Sequence, residues 1–127
     1  MFKDAKAFSG FSVSDLAAAK AFYGKTLGLE VEETSPGLQL KIAGRSAIVV
    51  YEKADHAPAT YTMLNFPVDD IDRAVDELTS KGVTFEHYGT LTDEKGVARG
   101  ISANQGPDIA WFKDPAGNIL SILQEAR

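Results

Sequence analysis

The sequence predicts an α+β fold: two paired βαβββ modules forming one curved, mostly antiparallel sheet around a concave cleft, with the helices outside. Three observations predict it. The strand-to-helix junction Val13-Ser14-Asp15-Leu16 recurs as Val68-Asp69-Asp70-Ile71. Each junction opens an amphipathic helical stretch that stops at a glycine, Gly28 and Gly82. The chain then closes on Ile109-Ala-Trp-Phe-Lys113, Asp-Pro-Ala-Gly and Asn118-Ile-Leu-Ser-Ile-Leu123, two branched and aromatic runs around a turn cluster, which is a hairpin. A βαβββ unit of this size cannot bury a sheet face alone, so the two are expected to pair.

In order, residues 7–13 read as the first strand, with Phe8, Gly10 and Ser12 on one face and Phe11 and Val13 on the other. Ser14 or Asp15 caps a helix reaching about Leu27, its apolar stripe being Leu16, Ala19, Tyr23 and Leu27. Gly24 costs that helix about 1 kcal/mol relative to alanine, so a neighbour is expected to pack close there. Residues 29–34, 38–43 and 47–52 are strands, joined by turns at Ser35-Pro36-Gly37 and Gly44-Arg45-Ser46. The polar, proline-bearing stretch Lys-Ala-Asp-His-Ala-Pro-Ala-Thr (53–60) reads as a linker, so the modules are 1–53 and 61–127 with 54–60 between them.

The second module opens with a strand over 61–68, then Asp69 caps a helix to Lys81 with Ile71, Ala74, Val75 and Leu78 at helical spacing. Residues 83–87 form a strand. The glycine-bearing run 89–108 is long and weakly patterned, with a short strand within 97–102, and a run of that length is commonly functional or mobile. Arg99 within it reads as a solvated loop arginine.

The chain has 127 residues and a formal charge of -5, with no run of lysine and arginine. Nucleic-acid backbones are therefore not expected partners, since phosphate contacts need clustered cations. Without cysteine, disulfides, thiolate catalysis and Cys-ligated zinc are excluded. No apolar run nears the ~20 residues of a membrane helix, so no membrane partner is expected. The opening MFKDAKAFSG has no apolar stretch of signal-peptide length, and the expected location is cytoplasmic.

The junction motifs, together with Phe22-Tyr23, Leu27-Gly28-Leu29 and Phe112-Lys113-Asp114-Pro115-Ala116-Gly117-Asn118, resemble the vicinal oxygen chelate superfamily, the glyoxalase, bleomycin-resistance and extradiol dioxygenase group. The resemblance covers nearly the whole chain and is strongest to short bacterial glyoxalase-like proteins. It implies a homodimer. In the metal-using members it implies one ligand on each of four strands. Here those positions fall on Phe8, Val50, Met63 and Ser121, none an ordinary ligand for a divalent ion, so no metal and no cofactor are expected. His56 and His87, the two histidines, read as solvent-side residues.

The same alternation is expected to bring Ser12, Ile48, Val50, Glu52, Tyr61, Asn65, Trp111, Ser121 and Leu123 to the inner surface beside Phe8 and Met63, making an apolar cleft with a few polar groups. Trp111 and Tyr61 would clamp a flat ring, with Asn65, Ser12 and Ser121 hydrogen-bonding it. The expected function is therefore metal-independent binding of a small aromatic or cationic organic molecule, for sequestration or sensing. The alternative is a metal-free lyase or isomerase of a small carbonyl compound, with Glu52 as base and Tyr61 or Asn65 polarising the oxygen. That alternative has no evident nucleophile–base pair in the sequence.

Overall fold

Each half of the chain builds its own four-stranded sheet in the computed structural model, which describes residues 1–35, 37–43 and 47–126. The halves are two units, Met1–Ala57 and Pro58–Arg127. Pro36 and Gly44-Arg45-Ser46, from the two expected turns, lie outside the described residues.

In the first unit the strands are β1 (Gly10–Val13), β2 (Glu30–Glu33), β3 (Leu38–Lys41) and β4 (Ile48–Glu52). Their order is β1-β4-β3-β2, with β1 parallel to β4 and the other pairs antiparallel. The helix α1 (Leu16–Ala21) begins at Asp15, whose carboxylate accepts from the backbone N–H of Ala18. It does not run on as α-helix. Phe22–Thr26 wind as one π-helical turn, and Leu27 N–H reaches back to the carbonyl of Phe22. The turn is anchored by Tyr23, fully buried with its ring 5.7 Å from that of Phe11. Beside it, a methyl on Gly24 would sit 3.6 Å from Val31 Cγ2, an ordinary contact, so the expected tight neighbour is not what fixes this glycine.

The second unit has β5 (Thr62–Pro67), α2 (Ile71–Ser80), β6 (Val97–Arg99), β7 (Asp108–Lys113) and β8 (Ile119–Gln124) in the sheet order β5-β8-β7-β6. Again the first strand is parallel to the last and the remaining pairs are antiparallel. The α2 cap is Asp70, accepting from Arg73 N–H, rather than the expected Asp69. The expected strand over 83–87 reduces to one bridge, Phe85 to Phe112, with their rings 5.6 Å apart. Val97–Arg99 occupies the same edge of β7 one step along.

Two devices fix this unit's loops. In the hairpin turn, buried Asp114 accepts from the N–H groups of Ala116 and Asn118 at 2.9 Å and from Asn118 Nδ2 at 3.0 Å. Within the long run, Arg99 is not solvated. Its guanidinium donates two bonds to Asp72 on α2, at 2.7 and 2.9 Å, and one to Asp93 at 2.9 Å. Lys95 joins Asp72 at 3.0 Å. Hydrogen bonds from Arg99, then Lys95, hold the Asp72 carboxyl well below the usual carboxylate range. Residues 93–99 are thereby tied to α2 rather than hanging as a free loop.

Candidate functional site

The pairing registers decide which side chains share a face. In the first unit Phe11 lies opposite Val50, Val50 opposite Leu38, and Leu40 opposite Ile48. Val13, Leu38, Leu40 and Val50 are buried with Tyr23 of the helical segment. Ile48, Val50 and Glu52 therefore belong to the helix-covered face, which corrects their expected place on the inner surface. The residues that do share the open face with Gly10 and Ser12 are Val49 and Tyr51. A one-residue shift along a strand exchanges its faces, and both Val49 and Val50 are apolar, so alternation alone does not fix the phase.

Glu52 is committed elsewhere as well. Its carboxylate accepts the first N–H of α1, that of Leu16, at 3.0 Å. In the second unit Gln124, ending β8, accepts the first N–H of α2, that of Ile71, at 2.9 Å. The two are equivalent ties between a helix start and the strand parallel to its unit's first strand. Glu52 is thus a helix-start acceptor by position.

On the open face of the first unit, Phe8 is 68% exposed and, with Gln39, Ala47 and Val49, lines a recess of about 190 Å³. Next along the same face is a pair that sequence reasoning did not join. Ser12 Oγ and His56 Nδ1 are 2.6 Å apart, both side chains half-buried. His56 is therefore not a solvent-side residue. The turn that carries it is closed by His56 N–H to the Lys53 carbonyl and tied to β1 by Lys53 N–H to the Val13 carbonyl, each 3.0 Å. His87, by contrast, is exposed as expected.

On the open face of the second unit, three strands contribute one row. Asn65 lies opposite Ser121, and Ser121 opposite Trp111. Ser121 is fully buried and its hydroxyl donates to Asn65 Oδ1 at 2.5 Å. The Asn65 carbonyl oxygen thus accepts from the chain itself, and its amide group retains two N–H donors. The Trp111 indole is half-buried and held twice. Its Nε1–H donates to Thr62 Oγ1 at 3.0 Å, and the Tyr88 ring meets it edge-on at 5.5 Å. Ile109 and Leu123, a directly opposed pair, extend the apolar surface.

A bulge between Thr62 and Leu64 places Met63 at an irregularity of β5, half-buried, and makes Thr62 the residue that reaches the indole. Tyr61 precedes the strand and is 69% exposed. Sequence reasoning missed Thr62, Tyr88 and Val49. Thr62 and Tyr88 carry no signal in a chain read locally, because a bulge and a loop bring them to Trp111.

The four positions that the resemblance assigns to a divalent ion do not supply its donors. They are Phe8, Val50, Met63 and Ser121, and Val49 and Tyr51, the β4 residues that share a face with Gly10 and Ser12, supply none either. Phenyl, thioether, hydroxyl and alkyl or phenol groups are not the imidazoles and carboxylates that such ions take. Among the described residues, no group of three or more His, Cys, Asp or Glu side chains is placed to hold a metal ion. No described helix is long and apolar enough to cross a membrane.

Among solved structures the chain is similar to TnmS3, an antibiotic binding protein from Streptomyces sp. CB03234, at 23% identity and TM-score 0.69, covering 97% of this chain and 98% of that one. It is similar to the glyoxalase family protein from Enterococcus faecalis at 21% identity and TM-score 0.66, covering 97% and 99%. A glyoxalase/bleomycin resistance protein/dioxygenase from Alicyclobacillus acidocaldarius aligns at 17% identity and TM-score 0.71, covering 98% and 93%. These likenesses show the fold. No curated protein matches the chain. The model of the Glyoxalase/Bleomycin resistance protein/Dioxygenase superfamily matches residues 8–122, so the chain belongs to that superfamily.

Proposed function

We propose that the chain is a metal-independent binding protein that sequesters or senses a small, flat organic molecule, aromatic or cationic. The observation that carries this reading is the Asn65–Ser121–Trp111 row. An indole already fixed by Thr62 and Tyr88 offers a stacking plane without losing much side-chain freedom on binding, and Asn65 offers amide donors beside it. Apolar walls with few placed polar groups are the usual make-up of a small-molecule site. The net charge of -5 favours a cationic guest over an anionic one. The similarity to TnmS3, described as an antibiotic binding protein, agrees with this class of ligand.

The alternative of a carbonyl lyase or isomerase is not favoured by the geometry. Its proposed base, Glu52, is occupied at the start of α1 and belongs to the helix-covered face. We further propose a cytoplasmic homodimer as the working form, tested by light scattering on the purified chain.

The binding test uses acridine orange, a flat aromatic cation, with the chain's single tryptophan as reporter. Saturable quenching of Trp111 fluorescence that persists after chelator treatment, with no stoichiometric metal in elemental analysis, is the expected result. Quenching that disappears on chelation and returns with a divalent ion would overturn the metal-independent part. No saturable quenching by aromatic cations or neutral polycyclic compounds would overturn the binding reading.

A further inference from the structure

We propose that Ser12 and His56 form a nucleophile–base pair that gives the first unit an acyl-transfer activity toward short-chain or aryl carboxylic esters. Ser12 Oγ lies 2.6 Å from His56 Nδ1, within the reach that such a pair needs. With the imidazole proton on Nε2, Nδ1 accepts the serine hydroxyl, which is the ground state of general-base catalysis.

The pair is built, not incidental to a packed core. Lys53, Ala54, Asp55 and Ala57 around the histidine are all exposed, and His56 alone turns in to half-burial. Two backbone hydrogen bonds hold its turn against the end of β1, so the imidazole's root is fixed relative to Ser12. Ser12 shares a face with Tyr51, its register partner on β4, whose exposed phenol is the donor proposed for a developing oxyanion. Gly10, two residues or about 7 Å up the same face, lies opposite Val49 in the recess that Phe8, Gln39 and Ala47 complete. That recess, about 190 Å³ and bordered by Phe8 and Val49, is the surface proposed to take a phenyl or short alkyl acyl group.

In the first half-reaction the Ser12 oxygen bonds to the ester carbonyl carbon while its proton passes to His56 Nδ1. The tetrahedral intermediate collapses by breaking the carbon–oxygen bond to the leaving alcohol, which takes that proton. In the second, water attacks the acyl-serine carbonyl and gives a proton to Nδ1. Collapse then frees Oγ, which recovers the proton, and one carboxylic acid leaves. No redox partner is needed.

The experiment treats the full chain with a serine-directed fluorophosphonate and, separately, with p-nitrophenyl acetate, and maps adducts by peptide mass spectrometry. Expected are an adduct on Ser12 and a fall in labelling rate of about 100-fold or more in His56→Ala. Ser12→Ala should carry no adduct at that peptide. Labelling absent from Ser12, or a His56→Ala chain reacting as fast as wild type, would overturn the proposal. If His56→Ala fails to fold by circular dichroism, His56→Gln takes its place with the same fall of about 100-fold expected, and unchanged labelling of Ser12 in that variant would overturn the proposal. Dye binding at Trp111 is read independently, so loss of either proposal leaves the other standing.

Discussion

Replacing Thr62 with valine removes one oxygen and keeps the side chain's shape, which makes it the cleanest probe of the Trp111 surface. The bond lost is Trp111 Nε1–H to Thr62 Oγ1, 3.0 Å. A neutral hydrogen bond of this kind contributes about 0.5–1.5 kcal/mol net, and the indole is only half-buried, so water takes over part of the role. The stability cost should therefore lie near the low end, about 0.5–1 kcal/mol. On the binding side, the freed indole must be ordered by the ligand, at about 0.5–1 kcal/mol for one side chain. That corresponds to roughly two- to fivefold weaker binding of acridine orange. Two fluorescence measurements check it, the dissociation constant from quenching and the anisotropy of the single tryptophan, which should fall in Thr62→Val. Unchanged affinity together with lowered anisotropy would refute the reasoning that a pre-fixed indole is what binds. Unchanged anisotropy would refute the claim that Thr62 fixes it.

Gly24→Ala should stabilise the chain by about 0.5–1 kcal/mol in urea unfolding, since the new methyl meets Val31 at ordinary contact distance and alanine restricts the unfolded chain. Asp114→Ala should destabilise by about 2–4 kcal/mol in the same assay, because it strands the N–H groups of Ala116 and Asn118 in a buried turn. Glu52→Gln should stay within about 0.5 kcal/mol of wild type, as Gln124 serves the equivalent helix start, whereas Glu52→Ala should cost about 1 kcal/mol. Asp72 has its folded pKa depressed, so its contribution is full above the unfolded value of about 3.9 and is lost as pH falls below it. Arg99→Met should therefore flatten the loss of stability with acid below about pH 4, read by urea midpoints across that range.

What the sequence made legible was local. The junctions Val13-Ser14-Asp15-Leu16 and Val68-Asp69-Asp70-Ile71, the glycine stops and the Asp114–Asn118 turn each fix backbone within a few residues, and each stands where its chemistry predicts, the second cap one residue late. The misplaced elements lack such signals. Ile48-Val-Val-Tyr-Glu52 is apolar at adjacent positions, so no period of two sets its phase, and the register with β1 and β3 does. Residues 83–87 alternate well enough for a strand, but the edge of β7 that they would pair with is shared with β6. Ser12 and His56 stand 44 residues apart and meet only because a linker turn folds back, a contact that no window of sequence reports.

The two units repeat more than their topology. Each helix is capped by the aspartate before it, and each helix start is held by a side chain from the strand parallel to the unit's first strand: Glu52 on Leu16, Gln124 on Ile71. That long-range tie fixes the phase of β4 and β8, because the tying residue must point to the helix. Residues at even spacing from it, Val50 and Ile122, are buried on the helix side, and those at odd spacing, Tyr51 and Ser121, belong to the opposite face. A glutamate or glutamine ending such a strand is therefore the mark from which its faces can be counted. Counted from Glu52, the open positions of β4 are Val49 and Tyr51, and counted from Gln124, those of β8 are Ser121 and Leu123. The chemistry offered at those positions is phenol and hydrocarbon, with the Ser121 hydroxyl already given to Asn65, which suits organic molecules, while Glu52 and Gln124 are spent on the helix starts.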